Sequence, residues 1–230
     1  MLILGFQKMT LLDFPNKVAC TIFTGGCNLR CPFCHNAKLV TEINAEEKYS
    51  KEEILAFLSK RKGLLDGVCI TGGEPLIQDG IKDFTIMIKE MGFKVKLDTN
   101  GFYPDKLKEL VNEKLVDYVA VDVKNSPEKY AETVGVKNID LAPFEESVNF
   151  LLKSDLDYEF RTTVVKEYHE VEDIEKIAEL IRGAEKYFLQ NFVDSGNLIG
   201  NDLHAHEKEI LLKMKEAAKK HGVSAEIRGI

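Results

Sequence analysis

Short apolar runs and amphipathic stretches take turns along this chain, and that rhythm limits its fold more than any single motif. The runs fall at 18–23, 67–71, 94–97, 118–123, 159–165 and 187–191, with helical patterns near 51–62, 80–91, 104–115, 144–153, 172–182 and 206–220. Ile54, Leu55 and Leu58 recur at helical spacing, as do Ile174, Ile177, Leu180 and Ile181, which marks faces turned to a core. Asp79 and Pro104 read as helix starts. Residues 116–123 are apolar nearly throughout, as suits a strand of a parallel sheet covered by helices. Right-handed crossovers between such strands predict an α/β fold, a partial (β/α)6 barrel with parallel strands. At 230 residues and 44% apolar content the chain supports one sizeable core, so 1–230 is read as a single domain.

Charge excludes some functions. The formal charge is −7 with both signs interspersed, and no Lys/Arg stripe offers a footprint for nucleic acid. Met1-Leu2-Ile3-Leu4-Gly5-Phe6 has neither a basic leader nor the length of a secretory apolar region, and no run is long enough to span a membrane. A cytoplasmic location is expected. Five Cys, three of them clustered, fit a reducing compartment and a ligand role better than a disulfide framework.

The clustered thiols are Cys27, Cys31 and Cys34, in Cys27-Asn28-Leu29-Arg30-Cys31-Pro32-Phe33-Cys34. An iron–sulfur cube normally takes four thiolates, so three leave one iron open to a ligand. A zinc knuckle completed by His35 is the competing reading. His35 is a poor fourth ligand, because zinc ligand pairs are usually spaced by two to four residues and it adjoins Cys34. Three buried structural thiols are a further reading, at odds with a loop containing Gly and Asn. Iron–sulfur is therefore favoured over zinc. Cys20 and Cys69 lie in strand runs and read as core thiols.

The other unusual residues fall at the same ends of the predicted strands. Gly72-Gly73-Glu74-Pro75 follows the second, Asp98-Thr99-Asn100-Gly101 ends the third, Asp122-Val123-Lys124 ends the fourth, Arg161 lies within the fifth and Gln190-Asn191 ends the sixth. Ligand sites of parallel βα folds form at these carboxyl ends. Taken singly, each is equally an ordinary turn or a solvated strand terminus. Beside a three-Cys loop they converge on one site. Adjacent glycines let backbone approach a ligand closely, Asp122 suits an ammonium, and Lys124 and Arg161 suit a carboxylate, so a small zwitterion fits. No Ser/His/Asp or paired-carboxylate site is found; His169, His204, His206 and His221 sit in polar stretches and read as solvated. Residues 193–203, rich in Asp, Ser, Gly and Asn, suit a mobile rim loop with a role in docking a partner.

Thr24-Gly25-Gly26-Cys27 through Cys34-His35-Asn36 resembles the cluster loop of radical S-adenosylmethionine (SAM) enzymes, and its Cys-His-Asn ending resembles the activating enzymes of glycyl-radical enzymes. The resemblance covers nearly the whole chain. It implies that Cys27, Cys31 and Cys34 bind a [4Fe–4S] cluster whose fourth iron SAM chelates, with Phe33 against the adenine. It further implies that Gly72, Gly73 and Glu74 receive the methionine amine and that Asp98, Thr99 and Asn100 lie beside the sugar and sulfonium. Asp122 and Lys124 match contacts to the methionine part, and Arg161 a SAM-contacting arginine. A monovalent cation near Asp98, Thr99 and Asp122 is also implied.

The implied activity is reductive cleavage of SAM to a 5′-deoxyadenosyl radical, which generates a glycyl radical on a partner enzyme, with flavodoxin or ferredoxin as electron donor. Leu11-Leu12-Asp13-Phe14-Pro15 resembles the activating protein of anaerobic ribonucleoside-triphosphate reductase. Leu189-Gln190-Asn191-Phe192 departs from the Leu-Pro-Tyr-His of pyruvate formate-lyase activase. A formate-lyase-type activase, a radical SAM enzyme with a small-molecule substrate, and an iron–sulfur electron carrier or zinc-stabilised binding domain are the alternatives.

Overall fold

The computed structural model describes residues 1–42 and 48–229. The chain forms two compact units that interleave in sequence. The first comprises Met1–Asn28, Lys38–Thr99 and Tyr103–Val119; the second comprises Leu29–Ala37, Asn100–Phe102 and Ala120–Ile230.

The first unit carries β1 (Ile3–Thr10), β2 (Ala19–Thr24), α2 (Lys51–Ser59), β3 (Gly67–Gly72), α3 (Ile81–Glu90), β4 (Lys94–Thr99) and α4 (Pro104–Asn112), and a short α1 (Ala37–Thr41) follows the Cys loop. β2 and β3 pair in parallel from Ala19↔Gly67 to Thr24↔Gly72, and β3 pairs with β4 from Gly67↔Lys94 to Ile70↔Leu97. These registers bring the carboxyl ends of β2 and β3 level, which sets the two loops that follow them side by side. Helix α2 starts at a reciprocal cap: Ser50 Oγ accepts from Glu53 N at 3.1 Å while Glu53 Oε2 accepts from Ser50 N at 2.8 Å, worth about 1 kcal/mol. Its inner face buries Ile54 and Leu58 as the helical spacing predicts.

β5 (Tyr118–Asp122) runs from the first unit into the second. At its start, Asp117 N donates to Val95 O and Asp117 Oδ2 accepts from Val95 N, both at 2.8 Å. At its end, Val123 N donates to Arg161 O at 2.8 Å. The second unit continues with α5 (Tyr130–Thr133), α6 (Ala142–Leu151), β6 (Asp157–Val164), α7 (Val171–Leu180), β7 (Tyr187–Asn191), α8 (Lys208–Lys220) and β8 (Ala225–Arg228). β6, β7 and β8 pair in parallel, from Phe160↔Tyr187 to Val164↔Asn191 and from Tyr187↔Ala225 to Gln190↔Arg228. The predicted α/β class with parallel strands is therefore found.

Three features depart from the sequence reading. β1 is an added strand, antiparallel to β2, and β8 is an added parallel strand of four residues. Asp79 is not the cap of α3: Gly80 occupies that position in the left-handed region (φ 75°), with no side-chain cap. Pro104 does open α4. No helix among the described residues is long and apolar enough to cross a membrane.

Candidate functional site

In the first unit, the loops after β2 and β3 are joined backbone to backbone. Gly73 N donates to Thr24 O at 2.9 Å and Glu74 N to Gly26 O at 2.8 Å. The glycines are needed for this approach. A Cβ on Gly72 would meet Thr24 N at 2.3 Å, and one on Gly73 would meet Gly26 O at 1.8 Å; Gly72 also has φ 125°. The close neighbour of these glycines is thus the chain's own Cys27-bearing loop. Gln78 braces the same loop, accepting from Leu2 N at 2.8 Å and donating to Gly25 O at 2.6 Å.

Glu74 is fully buried, and its Oε1 accepts from Leu76 N at 3.0 Å and from Thr99 Oγ1 at 2.8 Å. Asp98 pairs with the buried ammonium of Lys96, which lies 5.9 Å from the Tyr118 ring centroid. Tyr103 was not legible as a site residue in the sequence. Burial first, and then the charges of Glu74 and Cys27, push its hydroxyl above the ordinary tyrosine range.

In the second unit, the remainder of the Cys loop is held by main-chain bonds: Arg30 N donates to Val134 O at 2.8 Å, Cys34 N to Cys31 O at 3.1 Å and Gly200 N to Pro32 O at 2.8 Å. Residue 200 of the predicted rim loop thus packs on the Cys loop. Cys31 is buried and Cys34 half-buried. Burial pushes the Cys34 thiol above its usual value, while the Asn36 backbone and the charges of Lys124 and Arg30 act in the opposite direction. Phe33 is buried with its ring 5.9 Å from Tyr168 and 6.2 Å from His169, centroid to centroid. Asn100 is buried and its Oδ1 accepts from Phe102 N at 3.1 Å.

Asp122, Lys124 and Arg161 form one ion cluster. Arg161 Nε donates to Asp122 Oδ1 at 3.0 Å, and Lys124 Nζ donates to Asp122 Oδ2 at 3.1 Å. Burial alone would raise the Asp122 carboxyl, but Arg161 and Lys124 outweigh it and hold the group well below the usual carboxylate range. Burial would lower Lys124; Asp122 and the thiols of Cys31 and Cys34 raise it instead. The cluster continues through Glu159, 3.7 Å from Arg161 Nη1 and 3.3 Å from Arg228 Nη2, whose guanidinium stacks 3.4 Å from the Phe188 centroid. Glu159 meets Arg161 along β6 and Arg228 across from β8, and the pairing with Arg228 carries no sequence signal because it joins different strands.

His169 corrects the sequence reading. It is wholly buried rather than solvated, and burial pushes its pKa down to about 4. His204 is exposed and pairs with Glu167 at 2.8 Å, His206 and His221 are half-buried, and Cys20 and Cys69 are core thiols as expected. Burial pushes the Cys20 thiol up to about 12, consistent with an inert role.

Residues 21–181 match the model of the radical SAM superfamily. The chain belongs to the radical SAM superfamily. It is 36% identical over 203 residues to a putative glycyl-radical enzyme activating enzyme of Methanocaldococcus jannaschii, a match covering 83% of this chain and 80% of that one. This places it with enzymes of the glycyl-radical-activating type. It is also 32% identical over 126 residues to a pyruvate formate-lyase-activating enzyme of Clostridium pasteurianum, covering 53% and 51% of the two chains. Streptococcus suis SuiB, in its crystal structure with the precursor peptide SuiA, matches at TM-score 0.72 and 16% identity, over 95% of this chain and 50% of SuiB, which is a likeness of fold.

Membership of the radical SAM superfamily implies a [4Fe–4S] cluster and SAM. Among the described residues no three His, Cys, Asp or Glu side chains form a preassembled metal cage. The donor chemistry fits the cluster: the Cys loop offers three thiols, and the Lys124 cation opposes the burial that raises the Cys34 thiol.

Proposed function

We propose that this radical SAM enzyme generates a glycyl radical on a partner enzyme, and that the partner is anaerobic ribonucleoside-triphosphate reductase. The reading is carried by the Cys27-Cys31-Cys34 loop ending in His35-Asn36, in a chain that shares 36% identity with a putative activating enzyme across four-fifths of both lengths. The sequence Leu11-Leu12-Asp13-Phe14-Pro15 supports the choice of partner. Residues 1–230 work as one radical SAM domain in the cytoplasm, with flavodoxin or ferredoxin as electron donor.

Cys27, Cys31 and Cys34 would hold the cluster. The chemistry such a cluster would supply is one-electron reductive cleavage of SAM to methionine and a 5′-deoxyadenosyl radical, the species that would take a hydrogen atom from a glycine Cα of the partner. Asp122 would take the ammonium of SAM, and Lys124 and Arg161 its carboxylate. The peptide groups of Gly72, Gly73 and Glu74 would line the amine. Phe33 would lie against adenine, and Asp98, Thr99 and Asn100 beside the sugar. A monovalent cation would sit with Asp98, Thr99 and Asp122. No side chain has to move a proton. A formate-lyase-type activase is the second reading, favoured by the 32% identical stretch and opposed by Gln190-Asn191 at the end of β7.

The test mixes reduced, cluster-loaded enzyme and SAM anaerobically with the ribonucleotide reductase of the same organism, followed by electron paramagnetic resonance. A glycyl doublet that needs both SAM and this chain is the expected result. A doublet obtained only with a formate-lyase-type enzyme would replace the partner, and absence of 5′-deoxyadenosine from loaded enzyme would overturn the reading.

A further inference from the structure

His169 lies in the turn after β6, and its ring makes two hydrogen bonds of opposite sense. Nδ1 lies 3.1 Å from Val165 N, a donor, and Nε2 lies 2.7 Å from Lys124 O, an acceptor. One form satisfies both, the neutral ring protonated at Nε2. The other neutral tautomer would aim Nδ1–H at Val165 O, 3.3 Å away, but would set an Nε2 lone pair against the Lys124 carbonyl at 2.7 Å. Burial, which holds the pKa near 4, keeps the ring uncharged at neutral pH.

The ring is tied on several sides. It forms a T-shaped pair with the Phe33 ring, 6.2 Å between centroids with a 71° interplanar angle. The His169 carbonyl lies 2.8 Å from His206 Nε2, and Asn191 exchanges two 3.1 Å bonds with the His206 backbone. On the Lys124 side, Asn125 Nδ2 donates to Tyr168 O at 2.9 Å and to Thr133 Oγ1 at 2.8 Å. His169 thus joins the segment that carries the Lys124 ammonium to the aromatic residue between Cys31 and Cys34.

We propose that His169 is a positioning residue for SAM: its Nε2–H holds the Lys124 backbone, and its ring packs on Phe33. The proposal rests on the SAM-binding reading given above. A lysine ammonium on a four-carbon stem reaches one carboxylate reproducibly only when its backbone is fixed, and the His169 bond supplies that fixation.

The experiment uses the cluster-loaded enzyme in two measurements. Nitrogen-15 NMR of the labelled histidines reads the tautomer, and equilibrium dialysis reads SAM affinity in wild type, His169→Phe and His169→Gln. Expected are an Nε2–H signature in wild type and about tenfold weaker SAM binding in His169→Phe, equal to about 1.4 kcal/mol. Iron content should not change. His169→Gln, whose amide N–H reaches towards the same carbonyl, should regain most of the affinity, which a purely space-filling role does not require. An Nδ1–H or imidazolium signature, or wild-type affinity in His169→Phe, overturns the proposal. Should His169→Phe fail to fold, the tautomer together with the affinity of His169→Gln decides the matter. Wild type that holds its cluster but binds no SAM brings down the functional reading itself, a result distinguishable because no variant is involved.

Discussion

Replacing Gly73 with Ala puts a methyl carbon 1.8 Å from Gly26 O and 2.7 Å from its carbonyl carbon. Ordinary contacts between non-bonded heavy atoms begin near about 3.5 Å, so the two loops must part by more than an ångström. No rotamer relieves the clash, because the obstacle is main chain. Parting strains or breaks the Gly73–Thr24 bond at 2.9 Å and the Glu74–Gly26 bond at 2.8 Å. Overpacking costs about 1–3 kcal/mol, and each amide or carbonyl left unpaired costs about 1–3 kcal/mol; partial relaxation leaves an expected loss of about 3 kcal/mol. Gly63→Ala is the reference, since Gly63 has φ 78° but nothing within 4 Å of an added Cβ, and should lose about 1 kcal/mol through backbone strain alone. Urea unfolding of the two variants measures the difference, and SAM binding reports whether the displaced loops still form the site. Equal losses in the two variants, with SAM affinity intact in Gly73→Ala, would refute the steric argument.

Cys31→Ala should lose most of its bound iron and visible cluster absorption after anaerobic reconstitution while remaining folded; full iron content would contradict the ligand assignment. His169 should make stability pH-dependent. Its folded pKa of about 4 lies below the ordinary 6.5, so the unfolded chain binds the extra proton first. The contribution is therefore complete above about pH 6.5 and lost as pH falls towards 4, amounting to about 3 kcal/mol at 1.36 kcal/mol per unit. Urea midpoints of wild type and His169→Gln should converge over that window, and parallel pH curves would contradict the burial argument.

How much was legible follows from the range over which each signal acts. The run at 187–191 matches β7 to the residue, and Ile174 and Ile177 bury as their spacing demands, because periodicity is a local property. β1 escaped because the polar Gln7 and Lys8 interrupt its apolar pattern, and β8 has only four residues. Within the candidate site, Asp122 and Lys124 were legible as residue types at a strand end and Arg161 as one within a strand. The burial of His169 was not, since the Lys124 carbonyl that its ring meets lies 45 residues away and no spacing encodes that meeting. Gly72 and Gly73 were legible as a place of close approach, but the approaching group is the Thr24–Gly26 backbone, a consequence of the level β2–β3 register.

That Asp122 already holds two cations bears on how a zwitterion would enter. Arg161 and Lys124 occupy separate carboxylate oxygens at 3.0 and 3.1 Å, so the ammonium of an amino acid must share or replace one of them. The released cation can meet the ligand's own carboxylate, and the exchange leaves no charge uncompensated. A ligand with only one of the two charges lacks that balance. The same pairing predicts strong coupling. Asp122→Asn leaves two adjacent cations without their carboxylate, and with about a third of Asp122 still exposed the expected loss is about 2 kcal/mol. Adding Lys124→Met should then cost less than Lys124→Met alone costs in wild type, because one of the repelling cations is removed. Urea unfolding of the four-member cycle measures this coupling, expected near 1 kcal/mol. Strict additivity would mean that the Asp122–Lys124 contact at 3.1 Å carries no energy, and the exchange argument for SAM would fall with it.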